Sequence, residues 1–245
     1  MLAIYKFYGV LFVLMIVSSC TYVYYPSYPV VPDTKGKGFG IQGTAGFTKA
    51  QFSTWYALDS NWYFAATYIG AKSLLEDGDS LTNNRFGSRS LLGGVGYKFP
   101  LNNNNEFDVQ VGSGVSSGFF NTHAFSPNST NTIYGDIINT MSTRFYIQPS
   151  FKIDRGKGGF YMMPRLTYES FKSVKPKYDN ELYQKHDFLN GEFFIMGRFT
   201  TKALNIDLYA GVAANLYSTI KDENRDFVIV QPLVLGLGLS RTFHY

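Results

Sequence analysis

From Gly36 to the end of the chain, apolar and polar positions alternate with a period of two, and no stretch holds the spacing of an amphipathic helix. The last segment, QPLVLGLGLSRTFHY from Gln231 to Tyr245, shows the pattern most plainly. Leu233, Leu235, Leu237, Leu239, Phe243 and Tyr245 share one face of an extended strand. Val234, Gly236, Gly238, Ser240, Thr242 and His244 share the other. Large apolar groups on one side and small or polar groups on the other suit a strand between lipid and a crowded lumen. Arg241 interrupts the apolar face, where its stem can follow lipid while the guanidinium reaches headgroups. The same alternation predicts ten strands, over 37–47, 50–58, 61–72, 86–99, 106–119, 141–153, 158–171, 187–199, 204–218 and 227–244. Most are long enough to cross a bilayer as tilted strands, which takes about 9–11 residues.

The connections alternate too. Asp59-Ser60, Leu101 to Asn105, Asp154 to Lys157 and Thr200 to Ala203 are short and made of turn-forming residues. Residues 73–85, 120–140, 172–186 and 219–226 are longer and polar, and only the hairpin around Thr48-Lys49 lacks a long connection. Short turns on one rim and long loops on the other are the pattern of outer-membrane barrels. The expected fold is all-β: an up-and-down antiparallel transmembrane β-barrel of about ten strands, within a range of about 8–12. An even strand number returns the C-terminus to the short-turn rim, where the lipidated N-terminus is also expected to begin.

Residues 1–19 read as a signal peptide. Lys6 gives a positive start and Phe7 to Val17 an uncharged, mostly apolar run. That run is shorter than the roughly 20 residues of a membrane-spanning helix. Val17-Ser18-Ser19-Cys20 resembles a bacterial lipobox, which implies cleavage before Cys20 and lipid on its thiol. Cys20 is the only cysteine in 245 residues, and a single leftover cysteine in an exported chain calls for such a reason. An ordinary secretory peptide with an incidental cysteine is the alternative. Thr21, not aspartate, comes next, and the lipobox logic then points to the outer membrane. The Tyr- and Pro-rich run YVYYPSYPVVPDTKGKG reads as extended chain. The expected organisation is therefore 1–19 signal peptide, 20–35 lipidated extended tether and 36–245 barrel. A tether that begins on the short-turn rim favours an anchor in the inner leaflet.

Composition sharpens this picture. Hydrophobic content is 45% with a mean hydropathy of −0.10, so past the signal no run could span a bilayer as a helix. Aromatic residues reach 18% and glycines number 24, while charged residues are only 16%, against roughly 25% in ordinary soluble domains. Tyr, Phe and Gly suit strands, turns and interfacial girdles. The net charge of +4 is scattered, with no run built for nucleic acid. A soluble periplasmic β-sandwich or lipocalin-like barrel on a lipid anchor, binding a small ligand, would also alternate. Strand length, low charge and the large apolar face of nearly every strand weigh against it.

In YYPSYPVVPDTKGKG, QFSTWYALDSNWYFAATY, RFYIQPSFKI and the final LGLGLSRTF, the chain resembles the small outer-membrane β-barrel lipoproteins of Bacteroidota over nearly its whole length. The resemblance implies lipid anchoring at Cys20, a place in the outer membrane and assembly by the insertion machinery that reads an aromatic last strand. It implies no established activity. Tyr245 stands where that signal more usually has Phe.

The face opposite the large apolar residues collects Gln42, Lys98, Asp108, Gln110, Arg144, Gln148, Lys152, Arg165, Glu169, Glu192, Arg198 and Asp207. Counting from the short turns sets Lys98 opposite Asp108 and Arg198 opposite Asp207. Arg165 and Glu192 fall at similar heights on neighbouring strands, and Arg144 and Glu169 are diagonal neighbours. A barrel of about ten strands is little wider than one that side chains fill, and buried charges need partners. A lumen plugged by this network is the expected reading, with a narrow pore and a ligand pocket at the loop rim as alternatives.

Catalysis in a small barrel needs a base beside a nucleophile or an activated water. His123 in NTHAFSPNST has Ser126 three residues on, His186 precedes Asp187, and His244 lies next to the chain end. Each is an isolated combination of common residues and reads as a solvated histidine, so no enzyme is expected, with a lipid- or peptide-directed hydrolase as the rival. No Cys/His metal spacing, phosphate-binding loop or nucleophile elbow occurs, and no cofactor or metal is expected. Gly93-Gly94, Gly96 and the Gly112–Gly118 run read as positions where larger residues would not fit. Asn128-Ser129-Thr130 fits a glycosylation pattern, and Tyr134, Tyr178 and Tyr183 could meet sugars or an extracellular partner. Ordinary loop ordering is the simpler reading of all of them.

Overall fold

The structure, a computed structural model, describes residues 23–24, 26–32, 36–46, 48–72, 85–102, 105–121, 124–125, 132–133, 137–154, 157–175, 186–218, 229–230 and 233–245. Ten strands form the wall: β1 Gly38–Gly46, β2 Lys49–Ala57, β3 Trp62–Lys72, β4 Arg85–Asn102 and β5 Asn105–Asn121. They continue as β6 Ile137–Asp154, β7 Gly158–Lys175, β8 His186–Thr200, β9 Asn205–Ser218 and β10 Leu233–His244. Each pairs antiparallel with its neighbours in sequence, and β10 pairs with β1 to close the barrel. The fold is thus all-β, a closed ten-stranded up-and-down barrel. Ten strands lie near the expected spans, the last one excepted. It starts at Leu233, six residues late, because Ile229–Val230 pairs instead with Val23–Tyr24 in a short parallel bridge.

The short turns are locally specified. In the turn after β2, the Asp59 carboxylate accepts the backbone N–H groups of Asn61 and Trp62, both at 2.7 Å. These two bonds favour the ionised form and hold the Asp59 carboxyl below its ordinary value. The loop rim is uneven, since β1 and β2 have nine residues while β4, β6 and β7 have 18 each.

Burial alternates along every strand, so the closed wall has one covered face and one open face. The open face carries Leu91, Val111, Val115, Ile147, Leu166, Ile195, Leu208, Val212, Leu237 and Leu239. Near the turn rim it becomes aromatic, with Phe39, Tyr56, Trp62, Phe99, Phe160, Phe199 and Phe243. Trp62, Tyr97 and Phe99 meet there edge to face, with centroids 4.7 and 4.6 Å apart. The ladder between β6 and β7 is interrupted. The β6–β7 pairing skips from Met162↔Phe151 to Leu166↔Ile147, which sets Pro149 and Pro164 against each other. Neither has an N–H to give a ladder bond. Arg165 Nε bridges the gap from inside, donating to Gln148 Oε1 at 2.9 Å.

On the covered face, aromatic rings lie over glycines of the next strand. The register pairs Trp55 with Gly40, Tyr63 with Gly96, Tyr146 with Gly112 and Phe194 with Gly211. A Cβ on Gly96 would fall 2.0 Å from Tyr63 Cζ, and one on Gly40 would fall 2.0 Å from Trp55 Cε2. The glycines are the space into which the rings fit.

The sequence reading treats residues 20–35 as a tether that begins at the short-turn rim; of these, 26–32 have a different place in the structure. Residues 26–32 are all buried. They bond to β2, β4, β7, β8, β9 and β10, strands from around the ring. Only a segment inside the barrel reaches all of them. It is extended, as its prolines favour, but the chain runs along the lumen. Pro26 bonds to Lys49, at the loop-rim end of β2, and Pro32 bonds to Lys98, near the turn-rim end of β4.

Packing at the Tyr63–Gly96 pair is directly testable. Tyr63 is fully buried and its hydroxyl is tied to Asp108, so the ring has little freedom to yield. Gly96→Ala should destabilise the barrel by about 1–3 kcal/mol through overpacking. Gly43→Ala, whose added Cβ meets nothing within 4 Å, should leave the midpoint of a denaturant titration unchanged.

Candidate functional site

The lumen is built by what the ten strands turn inward. Among the described residues, Lys49, Lys98, Arg144, Arg165 and Arg198 are buried cations, and Asp108, Glu169, Glu192 and Asp207 are buried carboxylates. Near the turn rim, Arg198 meets Asp207 as a fork, Nε to Oδ1 at 2.7 Å and Nη2 to Oδ2 at 2.9 Å. Gln42 and Ser240 donate to the same carboxylate at 3.1 and 3.4 Å. Lys98 stands directly opposite Asp108 across β4 and β5, and lies 3.8 Å from Glu106. The Tyr63 hydroxyl contacts both Asp108 oxygens, at 2.9 and 2.8 Å.

In the middle of the lumen, Arg165 faces Glu192 across β7 and β8 at 3.4 Å, and Thr167 donates to the other Glu192 oxygen at 2.6 Å. Toward the loops, Arg144 and Glu169 are directly opposite rather than diagonal, 3.2 Å apart, with the Ser142 hydroxyl donating to Glu169 at 2.5 Å. Lys152 is only half-buried, between Glu106 and Asp154 at 3.3 Å each.

Pro26–Pro32 runs along this charged wall. Lys49 Nζ donates to the Pro26 carbonyl, Arg165 Nη1 to the Ser27 carbonyl at 2.9 Å, Arg198 Nη1 to the Val31 carbonyl at 3.0 Å, and Lys98 Nζ to the Pro32 carbonyl. Gln51 grips Tyr28 at two points, accepting its N–H and donating to its carbonyl, both at 2.8 Å. The Tyr28 hydroxyl donates to the Leu235 carbonyl. Its ring rests where a Cβ on Gly236 would lie 2.4 Å away.

The match is chemical. PSYPVVP has three prolines, which offer carbonyls but no N–H. In an extended chain without internal hydrogen bonds those carbonyls stay free. A segment rich in acceptors therefore suits a wall that turns Lys49, Lys98, Arg165 and Arg198 inward.

Lys49 and Gln51 were not singled out by the alternation, because they follow the first hairpin and read as turn and strand-edge residues. Their signal is the face Lys49, Gln51, Ser53, Trp55, which continues the inward side of β2. His186 and Asp187 open β8 at the loop rim and His244 closes β10 at the turn rim, so the fold keeps these histidines at opposite ends. Cys20, His123, Ser126, Asn128-Ser129-Thr130, Tyr134, Tyr178 and Tyr183 lie outside the described residues. Among the described residues, no group of three His, Cys, Asp or Glu could hold a metal ion. The chain matches no protein-family model, and no curated protein is significantly similar to it.

The Arg198–Asp207 fork gives a sharp test. Arg198→Leu leaves Asp207 buried beside Gln42 and Ser240 without its cation and should cost about 3–5 kcal/mol. The double change Arg198→Leu with Asp207→Leu should cost clearly less than the two single changes added together. Urea unfolding of the four proteins measures that coupling, and strict additivity would mean that the pair is not a unit.

Proposed function

We propose that the protein is a lipid-anchored outer-membrane β-barrel with a structural or surface-interaction role, not an enzymatic one, and that its lumen is plugged. The observation that carries the membrane reading is the open face of the closed wall. Leu91, Val115, Leu208, Leu237 and Leu239 are each more than half exposed, on strands all around the ring, where a soluble monomer would rarely leave so many large apolar side chains open. The aromatic band at the turn rim suits a membrane interface. A groove of about 530 Å³ on the same outer wall is lined by Pro149, Pro164, Leu166, Phe193 and Leu216. It lies where acyl chains would pack.

Support for a plug is the occupied lumen. Pro26–Pro32 runs inside the ring between Lys49 and Lys98, and the Arg144–Glu169 and Arg165–Glu192 pairs line the wall around it. Ions would have to displace bonded charges to pass. The export signal and the lipobox at Cys20 give the anchor and the address.

Two measurements test this. Protein from isolated outer membranes should migrate differently on gels before and after boiling, and Cys20→Ala should keep that shift while losing the lipid. An absent shift, with Cys20→Ala released into the soluble periplasm, would indicate a tethered soluble β-domain instead. In planar bilayers the native protein should show no steady conductance, whereas replacing 26–32 with a Gly/Ser stretch should open channels. Steady conductance by the native protein would replace the plug with a pore.

A further inference from the structure

We infer that the chain is threaded through its own barrel, so that the segment bearing Cys20 emerges among the long loops and its lipid enters the leaflet on that side, the outer one. This rests on the membrane reading above and reverses the side on which the anchor was expected.

Three observations fix the direction. Contacts of the buried segment descend in order: Pro26 with Lys49 at the loop end of β2, Ser27 with Arg165 midway along β7, then Val31 with Arg198 and Pro32 with Lys98, near the turn ends of β8 and β4. Upstream of Pro26, Val23–Tyr24 pairs in parallel with Ile229–Val230. Those partners belong to the long connection between β9 and β10, above the loop end of β10. Downstream of Pro32, β1 begins at Gly38, beside His244 on the turn rim. The segment thus enters at the loops and leaves at the turns.

Chain reach then limits Cys20. It is three residues from Val23, at most about 11 Å of extended chain. Even the short β2 strand, at roughly 3.3 Å per residue, covers about 30 Å along its length. Three residues cannot return to the turn rim, and the lumen that would lead there is filled. A lipid-bearing cysteine at that place sits beside the outer leaflet, with its lipid entering from the loop side.

The proposed arrangement makes the N-terminus a surface feature. A chain attached by lipid on one face of the membrane and by ten strands through it is held twice, and Val23–Tyr24 stand on the loop side rather than facing the periplasm.

Epitopes on the full-length protein in intact cells test it. One is placed after Thr21, one within 176–185, and one after Tyr245. Antibody should label the Thr21 and loop epitopes on intact cells, and the Tyr245 epitope only after lysis. Labelling of the loop epitope with the Thr21 epitope protected until lysis would overturn the threading. Protection of the loop epitope as well would remove the membrane reading itself, and the leaflet assignment with it. If the Thr21 insertion blocks export, a protease site within 33–35 serves instead. After cleavage in detergent, the N-terminal fragment should stay with the barrel until the sample is heated; prompt release without heating would overturn the proposal.

Discussion

Buried charge that finds a partner is the constraint on which the rest of this structure depends. Among the described residues, five buried basic side chains face four buried carboxylates inside the ring, and removing a charge's partner in such a place costs several kcal/mol. Pairs across neighbouring strands answer most of the demand. The rest falls to backbone carbonyls of Pro26–Pro32, four of which accept from Lys49, Arg165, Arg198 and Lys98. A conventional polar linker would bring an N–H with nearly every carbonyl and would present the cations with donors of their own sign. Three prolines in seven residues remove that conflict.

Room for the segment comes from the wall. The strands that close the barrel are rich in small inward residues, and Tyr28 lies against their seam. A Cβ on Gly46 would reach its hydroxyl at 1.9 Å, and one on Gly236 would reach its ring. Elsewhere glycines receive rings from the wall itself, as Gly96 receives Tyr63, whose hydroxyl then serves Asp108. At that position glycine, ring and charge form one packing scheme: the missing Cβ admits Tyr63, and its hydroxyl satisfies Asp108. The outward face needs none of this, and Leu, Val, Ile and Phe suffice there.

The architecture was legible because a strand between two unlike surroundings writes its facing into alternate positions. Leu233 to Leu239 declare outside and inside without any partner being known. Lys98 and Asp108, or Arg198 and Asp207, could be matched because short turns fix register locally. Arg144 and Glu169 read as diagonal because the exact register of the β6–β7 hairpin was not deducible; it pairs Gly159 with Asp154. The last strand began late because Ile229–Val230, apolar and β-branched, had a competing partner in Val23–Tyr24 far away in sequence. Pro26–Pro32 was opaque for a deeper reason. An extended proline-rich chain has no periodicity, and only its partners, all distant in sequence, distinguish a filling from a tether.

Those partners also constrain the order of assembly. β1 and β10 are joined by nine residue pairs, Gly38 to Gly46 against His244 to Gly236. Once that seam is shut, the segment could enter only end-on, past Arg165, Gln148, Arg198 and Asp207, with their mutual bonds already made. Each pair broken on the way would leave a bare charge in a confined space. Laid against β2 and β7–β9 before the seam closes, the same segment reaches Lys49, Arg165 and Arg198 from the open side without breaking those pairs, and each carbonyl accepts a cation's hydrogen bond that closure would otherwise strip of water. The segment belongs in the ring before β10 meets β1, and the last strand's pairing then locks in what the charges have already arranged.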